Sequence, residues 1–308
     1  MLTNVLLLIS GLIILIAGSE SLIRGSIRLA KKINMSEFLI GVLIISLGTS
    51  LPELSSSITA MLNQHSEIVI GSLIGSNITN ILLIMSATVI LSPITNIGKD
   101  QSFQKLANVL MVILMCLIGY LGLVINYIFG VIFLFILLFI MFYEIKFNSV
   151  HIEKELKTKK DNVLLIFAFI IVGLIALIYG ANLFINSAVE IAKVFKVSET
   201  VIGISLVAIG TSLPELTVSL MSAIRKQVSF ALGNILGSNL YNIFGILAVS
   251  SFFGTIEIPT RIANIDNFIM LFATLYLTLV ALVLKKIPRW FGIFGVILYI
   301  SYISSLYI

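Results

Sequence analysis

Two glutamates lie inside apolar stretches of this sequence, each within the same seven residues, GTSLPEL, at positions 48–54 and 210–216. These glutamates are Glu53 and Glu215. A carboxylate in hydrocarbon costs at least ~2.5 kcal/mol on insertion scales, so such a residue normally faces an ion or water. The proline before each glutamate removes a helix hydrogen bond and frees a backbone carbonyl. Each motif therefore predicts a cation site at a break in a membrane helix.

Further oxygen-bearing side chains occur at helical spacing around the two glutamates. Thr49, Glu53 and Ser57 fall on one helical stripe, and the second copy repeats this spacing. The next apolar segment of each half carries GSNITN or GSNLYN, which adds a serine and two asparagines. Carboxylates, hydroxyls, amides and freed carbonyls are the ligands that Ca²⁺ and Na⁺ prefer, whereas zinc and copper prefer imidazole or thiolate. The motifs therefore indicate a site for hard cations.

The composition excludes a water-soluble protein, because 59% of the 308 residues are hydrophobic, 11% are charged and the mean hydropathy is +1.17. Apolar segments of about 20 residues, enough to span ~30 Å of hydrocarbon, recur along the chain. Ten spans are predicted near 2–30, 37–62, 68–91, 104–124, 126–147, 162–192, 200–224, 229–253, 264–284 and 290–307. No nucleophile and base occur at a usable spacing, so we do not expect an enzyme.

The chain is an internal duplication at a constant offset of 162 residues, which aligns both GTSLPEL motifs without a gap. The predicted domains are residues 1–147, a linker at 148–161 and residues 162–308. Because each half has five predicted spans, an odd number, the second half is expected to be inverted. Most lysines and arginines then lie on one side, which predicts a cytoplasmic linker, extracellular termini and an integral protein of the plasma or inner membrane.

At these motifs the sequence resembles the cation/calcium exchanger superfamily, specifically its sodium/calcium exchanger branch. Both α-repeats of that family are present: GTSLPELSSSI with GSLIGSNITNILL, and GTSLPELTVSL with GNILGSNLYNIFG. The resemblance covers essentially the whole chain. It implies an all-α polytopic membrane protein with ten transmembrane helices as two inverted five-helix repeats, and ion sites at mid-membrane between the second, third, seventh and eighth helices.

The resemblance also assigns ligands. It implies that Glu53 and Glu215 bind Ca²⁺, beside the backbone carbonyls of Thr49 and Thr211. The remaining implied ligands are Ser50, Ser76, Ser212, Ser238 and the carbonyls of Ser46 and Ala208 for Na⁺, with Asn80 and Asn242 completing the central site. Potassium-dependent members carry an aspartate where this chain has Asn242, so potassium dependence is not expected.

The function predicted from these features is exchange of Na⁺ for Ca²⁺ by alternating access. A proton-coupled Ca²⁺ antiporter and a passive cation channel remain the alternatives, although the GNxxE signature of the proton-coupled branch is lacking. The expected partners are the transported ions and the lipid bilayer, with no cofactor, no nucleic acid and no required oligomer. Three other acidic residues, Glu20, Glu190 and Asp266, have no acidic counterpart at the offset and are predicted to be structural.

Overall fold

The computed structural model describes residues 1–95, 97, 101–147, 162–195 and 208–306, which are almost entirely helical. In chain order the helices are α1 (Leu2–Ile33), α2 (Glu37–Thr49), α3 (Leu51–Leu62), α4 (Ser66–Leu91), α5 (Ser102–Tyr120), α6 (Tyr127–Phe147), α7 (Val163–Val194), α8 (Ala208–Thr211), α9 (Leu213–Ile224), α10 (Val228–Ser250), α11 (Ile262–Leu284) and α12 (Arg289–Ser305). Several contain a short π-helical segment, including α2, α4 and α10.

Within the described ranges, seven helices are long and apolar enough to cross a membrane, and α2 with α3 makes an eighth if the bent pair is one span. The helices α9 and α12 are apolar but shorter. The chain is therefore an all-helical polytopic membrane protein, as predicted. The count of ten stays a prediction, since the predicted span 200–224 begins among residues outside the described ranges. The predicted linker at 148–161 also lies outside them.

The helix ends differ from the predicted spans by a few residues. The fourth predicted span continues to residue 124, but α5 ends at Tyr120 because Gly122 adopts the left-handed conformation, with φ +61°. The first span was predicted to end near residue 30, whereas α1 continues to Ile33 and ends where Asn34 has φ 58°. Both residue types accept this conformation, which commonly terminates helices.

The helices α1 and α7 pack along each other through glycines. A Cβ at Gly173 of α7 would lie 2.6 Å from the backbone nitrogen of Leu22, and one at Gly18 of α1 would lie 2.9 Å from that of Leu177. The absence of side chains at these positions lets the two backbones approach closely, as is typical of helix pairs in membranes. Together α1 and α7 form the largest helix–helix contact of the described structure.

Two short β-bridges join connections of the first half to connections of the second. Ile94 pairs with Ile287, and Ile125 pairs with Ile256. Each pair exchanges two backbone hydrogen bonds of 2.8–3.1 Å. The offset of 162 residues converts one pair into the other, so the two bridges occupy equivalent places in the duplication. They fix the ends of the helices that flank them.

Among the described residues, the small residues of α4 and α10 have different surroundings although their spacing is the same. Gly71 and Gly75, like Gly233 and Gly237, are predicted by their spacing to allow close helix packing. That prediction holds for α10, where a Cβ at Gly237 would collide with Ser46 and lie 3.0 Å from the Cα of Val42. At α4 no described atom lies within 4 Å of a Cβ at Gly75, and residues 199–207, which align with most of α2, lie outside the described ranges, so this part stays a prediction.

This difference gives a matched test. We expect Gly237→Ala to lower the thermal stability of the detergent-purified protein by about 1–3 kcal/mol, because the added methyl must displace packed backbone. Gly75→Ala adds the same methyl where no described atom lies within 4 Å, and it should leave the unfolding temperature unchanged or slightly raised. Thermal unfolding followed by intrinsic fluorescence compares them, and an equal loss in both variants would contradict the asymmetric packing.

Candidate cation-binding site

Each GTSLPEL segment breaks its helix at the serine before the leucine and proline. Ser50 has φ −85° and ψ 4°, and Ser212 has φ −89° and ψ 7°, so the two breaks have the same geometry. At the first break α2 and α3 meet at 41°. Helical hydrogen bonding resumes from the carbonyls of these serines, which accept from the N–H groups of Leu54 and Leu216. The proline lacks an N–H group and crowds the preceding turn, which explains the break.

The break places both glutamates in the first turn of a new helix. Glu53 lies in the first turn of α3 and Glu215 in that of α9, where the positive end of the helix dipole stabilises a carboxylate. The two residues are 2% and 1% exposed. Within the described structure, the Oε2 atom of each is buried and accepts no hydrogen bond. These two oxygens are therefore available to a bound cation.

Hydroxyl groups connect the two motifs across the centre of the molecule. The Ser50 Oγ donates to the Glu215 Oε1 at 3.3 Å, so the break of one half touches the carboxylate of the other. The Ser76 Oγ lies 3.3 Å from the Ser212 Oγ in a second contact between halves. Residues far apart in the sequence are thus gathered into one cluster of oxygens.

Four asparagines form a symmetric pair of hydrogen bonds between α4 and α10. The Asn80 Nδ2 donates to the Asn239 Oδ1, and the Asn242 Nδ2 donates to the Asn77 Oδ1, both at 2.9 Å. The buried Oδ1 atoms of Asn80 and Asn242 accept no hydrogen bond from the described residues. Because each amide nitrogen is engaged, the carbonyl oxygen of the same side chain is left as a possible cation ligand. Both asparagines lie in π-helical turns, which often occur at functional sites.

Most of the predicted ligands are buried together near the helix breaks. Those that are at most 5% exposed are Ser46, Thr49, Ser50, Glu53, Ser76, Asn80, Ser212, Glu215, Ser238 and Asn242. Thr211 is partly exposed because it lines a cavity. Ala208 begins α8, but its side chain lies outside the described part of the structure.

The Ser46 carbonyl, which the resemblance assigns to Na⁺, is already hydrogen-bonded. It accepts from the Ser50 N–H at 3.0 Å and from the Thr49 Oγ1 at 3.3 Å. An ion at this oxygen would compete with the Thr49 hydroxyl, whose single hydrogen has an alternative acceptor in the Asn234 Oδ1 at 3.1 Å. Rotation of one hydroxyl group therefore exposes a lone pair of this carbonyl without moving the backbone.

Asn234 is a residue of this site that the sequence analysis missed. Its Oδ1 accepts from the Thr49 hydroxyl. Its Nδ2 donates to the Ser219 Oγ at 3.2 Å and lies 3.5 Å from the Glu215 carbonyl oxygen. It supports both helix breaks from α10. The duplication gave no signal for it, because the corresponding residue of α4 is Ser72. Asn77 and Asn239 belong to a recognised motif but were not assigned a role.

A cavity of about 530 Å³ connects this cluster with one side of the molecule. Ser76 and Thr211 border it at the cluster, and Gly71 and Ser57 lie along its wall. The equivalent positions of the other half are closed, since Gly233 and Gly237 pack against α2 and Ser219 and Ser238 are wholly buried. In the described part of the structure, the candidate site is therefore reached along α4 and closed along α10.

Comparison with known proteins gives matches along the whole chain. The sequence profile of the family described as "Sodium/calcium exchanger protein" matches residues 3–146 and 165–308. An uncharacterized membrane protein of Methanocaldococcus jannaschii is 39% identical over 298 residues, covering 96% of this chain and 95% of its own. The sodium/calcium exchanger MaX1 of Methanosarcina acetivorans is 29% identical, with coverage of 99% and 98%.

Solved structures agree with these matches. The sodium-calcium exchanger NCX_Mj, in a crystal soaked with Na⁺ and without Ca²⁺, superposes with a TM-score of 0.89 at 38% identity and 98% coverage of both chains. The same protein soaked with Na⁺ and Sr²⁺ gives a TM-score of 0.88 at 37% identity, covering 99% of each chain. Both similarities extend over nearly the full length.

The free carboxylate oxygens generate a binding prediction. We expect Ca²⁺ to raise the unfolding temperature of the wild-type protein, because a ligand at a hundred times its Kd stabilises by about 2.7 kcal/mol. Glu53→Gln and Glu215→Gln should each lose most of this rise, since the amide keeps the size of the side chain and removes its charge. Glu190→Gln, at an exposed position of α7, is the control. An undiminished Ca²⁺ effect in either glutamate variant would contradict the site.

Proposed function

The chain belongs to the sodium/calcium exchanger family and exchanges Na⁺ for Ca²⁺, and we propose that the exchange takes place at the oxygen cluster around Glu53 and Glu215. The observation that carries this proposal is the pair of buried carboxylates, each with an unbonded oxygen and each at the start of a broken helix. A transported cation is the counter-charge that this arrangement lacks.

We infer the following division of ligands. Ca²⁺ is bound by the two carboxylates together with the carbonyls of Thr49 and Thr211. The hydroxyl and carbonyl oxygens predicted above, those of Ser46, Ser50, Ser76, Ala208, Ser212 and Ser238, serve Na⁺. The unbonded amide oxygens of Asn80 and Asn242 complete the centre, and their orientation by Asn239 and Asn77 supports this role.

Charge balance explains why transport is an exchange. Two ionised glutamates give the site a charge of about −2, which is costly to enclose in a low-dielectric interior without counter-ions. One Ca²⁺ or two Na⁺ balance this charge, and a third Na⁺ leaves one positive charge. An empty site is reluctant to close and reorient, whereas a filled site does so. Ca²⁺ therefore crosses in one direction only when a cation, Na⁺ or another Ca²⁺, returns in the other.

Alternating access is supported by the unequal packing of α4 and α10. The cavity reaches the site beside Gly71 and Gly75, whereas the equivalent surface of α10 is pressed against α2. We propose that the opposite state exchanges these arrangements, so that α4 becomes closely packed and a cavity forms along α10. The site stays at the midplane while access to it changes sides.

We further propose that residues 1–147 and 162–308 are five-helix halves of opposite orientation, joined by a cytoplasmic linker at 148–161. Both termini are then extracellular, in a plasma or inner membrane, and the cavity faces outside. Two turns support this arrangement, because Gln64 and Lys226 lie at equivalent positions of the duplication and have left-handed φ values of 63° and 58°.

Inversion predicts that these two turns face opposite sides of the membrane. In a Cys116→Ala background, Gln64→Cys should react with an impermeant maleimide in intact cells, and Lys226→Cys should react only in inverted vesicles. The measurement is the gel shift of the labelled protein in the two preparations. Reaction of both cysteines in intact cells would overturn the inverted arrangement.

Ca²⁺ uptake into proteoliposomes tests the exchange itself. Internal Na⁺ should drive uptake of external Ca²⁺, whereas internal K⁺ with the same buffer should not. Uptake driven by an outward proton gradient without Na⁺ would identify a proton-coupled antiporter. Uptake that needs no counter-ion gradient would identify a channel. Glu53→Gln protein is the negative control in each condition.

The site charge also predicts an electrogenic cycle. With an amide at Asn242, three Na⁺ would carry one positive charge and the Ca²⁺ complex would be neutral, so Na⁺/Ca²⁺ exchange should respond to voltage by ~2.3 kcal/mol per charge per 100 mV. Exchange of Ca²⁺ for Ca²⁺ should not respond. The reversal potential of Ca²⁺ flux, measured against imposed Na⁺ gradients, decides between three and two Na⁺ per Ca²⁺. Insensitivity to voltage would indicate two Na⁺ per Ca²⁺. Stimulation by K⁺ would contradict the reading of Asn242.

A further inference from the structure

The cavity that leads to the site carries a charged pair away from the cation ligands. Among the described residues that line it, Arg261 and Asp266 are the two with a formal charge. Arg261 directly precedes α11, and Asp266 is the fifth residue of that helix. Asp266 is 5% exposed, and the side chain of Arg261 is 44% exposed. A cation that passes through the cavity therefore passes an arginine.

Arg261 is held by two groups on the cavity wall. Its Nε lies 3.7 Å from the Asp266 Oδ2, and its NH2 group donates to the Ser305 carbonyl at 3.3 Å. That carbonyl belongs to the last turn of α12, where the helix dipole is negative. The hydroxyl of Tyr302 lies beside the same carboxylate. The positive charge is thus offset by a carboxylate and a helix end.

The duplication does not repeat the ion pair of Arg261 and Asp266. The residue equivalent to Asp266 is Gln104 of α5, which is wholly buried. The sequence predicts a structural role for Asp266, because this residue lacks an acidic counterpart at the offset. Its position in the cavity wall gives that difference another meaning, since the aligned position of the first half carries an amide and not a carboxylate.

We propose that Arg261 and Asp266 set the rate at which cations are captured from the cavity side of the membrane. The proposal rests on the exchange function and on the cavity being the path to the site. Asp266 neutralises Arg261, so that an approaching cation meets the negative potential of the two site glutamates and not a local positive charge. Loss of Asp266 leaves a repelling charge, and loss of Arg261 leaves an attracting one.

The two ions should respond unequally. A unit charge acting through water on a divalent ion ~10 Å away changes its local concentration roughly fourfold, and the change for a monovalent ion is the square root of that, roughly twofold. The pair therefore affects Ca²⁺ capture more than Na⁺ capture. Because exposed charges are screened, the effect should shrink as ionic strength rises.

Initial Ca²⁺ uptake at sub-saturating Ca²⁺ tests this in right-side-out and inside-out membrane vesicles loaded with Na⁺. Arg261→Gln should raise uptake roughly fourfold, and Asp266→Asn should lower it by a similar factor. The double variant should return to within about twofold of wild type. These changes should occur in one vesicle orientation and fade at high salt.

Lys193→Gln is the matched control, because it removes a positive charge at the exposed end of α7, outside the cavity lining. It should leave uptake unchanged in both orientations. A merely structural ion pair would make both single variants slower, so changes of the same sign would overturn the proposal. If the wild-type protein exchanges ions and every variant takes up Ca²⁺ at the wild-type rate, the proposal is also overturned. Wild-type protein without Na⁺-driven uptake would instead refute the proposed function.

Discussion

The constraint on which the rest of this structure depends is the burial of two carboxylates in a low-dielectric interior. Glu53 and Glu215 are almost completely enclosed, and each keeps an oxygen that no described residue bonds. A buried charge of this kind is tolerated only when hydrogen bonds, dipoles or an ion compensate it. The helix N-termini behind the glutamates and the serine hydroxyls beside them supply part of the compensation. In the proposed function, the transported cations supply the rest, and the compensation is incomplete until they bind.

The surrounding elements keep this incomplete site from collapsing. Unbonded oxygen atoms that lie close together would accept hydrogen bonds from any donor within reach. The structure prevents this because the nearby donors are bonded to other groups. The amide nitrogens of Asn80 and Asn242 are bonded to other asparagines, and the amide of Asn234 is directed toward Ser219 and the Glu215 backbone. Prolines remove N–H groups at both breaks. Selective placement of donors is therefore as important here as the supply of acceptors.

The sequence predicted the helical membrane fold, the family and the clustered ligands because charge and proline in an apolar run are unusual and were repeated. It did not predict Asn234, since a single asparagine in an apolar helix gives no pattern and its counterpart is Ser72. Nor could it predict that Gly237 packs against α2 while no described atom lies within 4 Å of a Cβ at Gly75. The two halves have similar sequences, and the alternating access proposed above requires arrangements in which either half is the packed one. Which arrangement is populated depends on small energy differences that residue types do not encode.

The paired β-bridges have a consequence for how the chain assembles. Ile94 cannot meet Ile287 until nearly the whole chain has been synthesised, and Asn80 likewise waits for Asn239. The first half therefore enters the membrane before its carboxylate has the partners that surround it in the finished protein. Contacts between residues so distant in sequence form late and slowly. Synthesis should thus pass through an intermediate in which α2, α3 and α4 are inserted but not yet joined, a stage at which lipids, water or an assisting protein must cover Glu53.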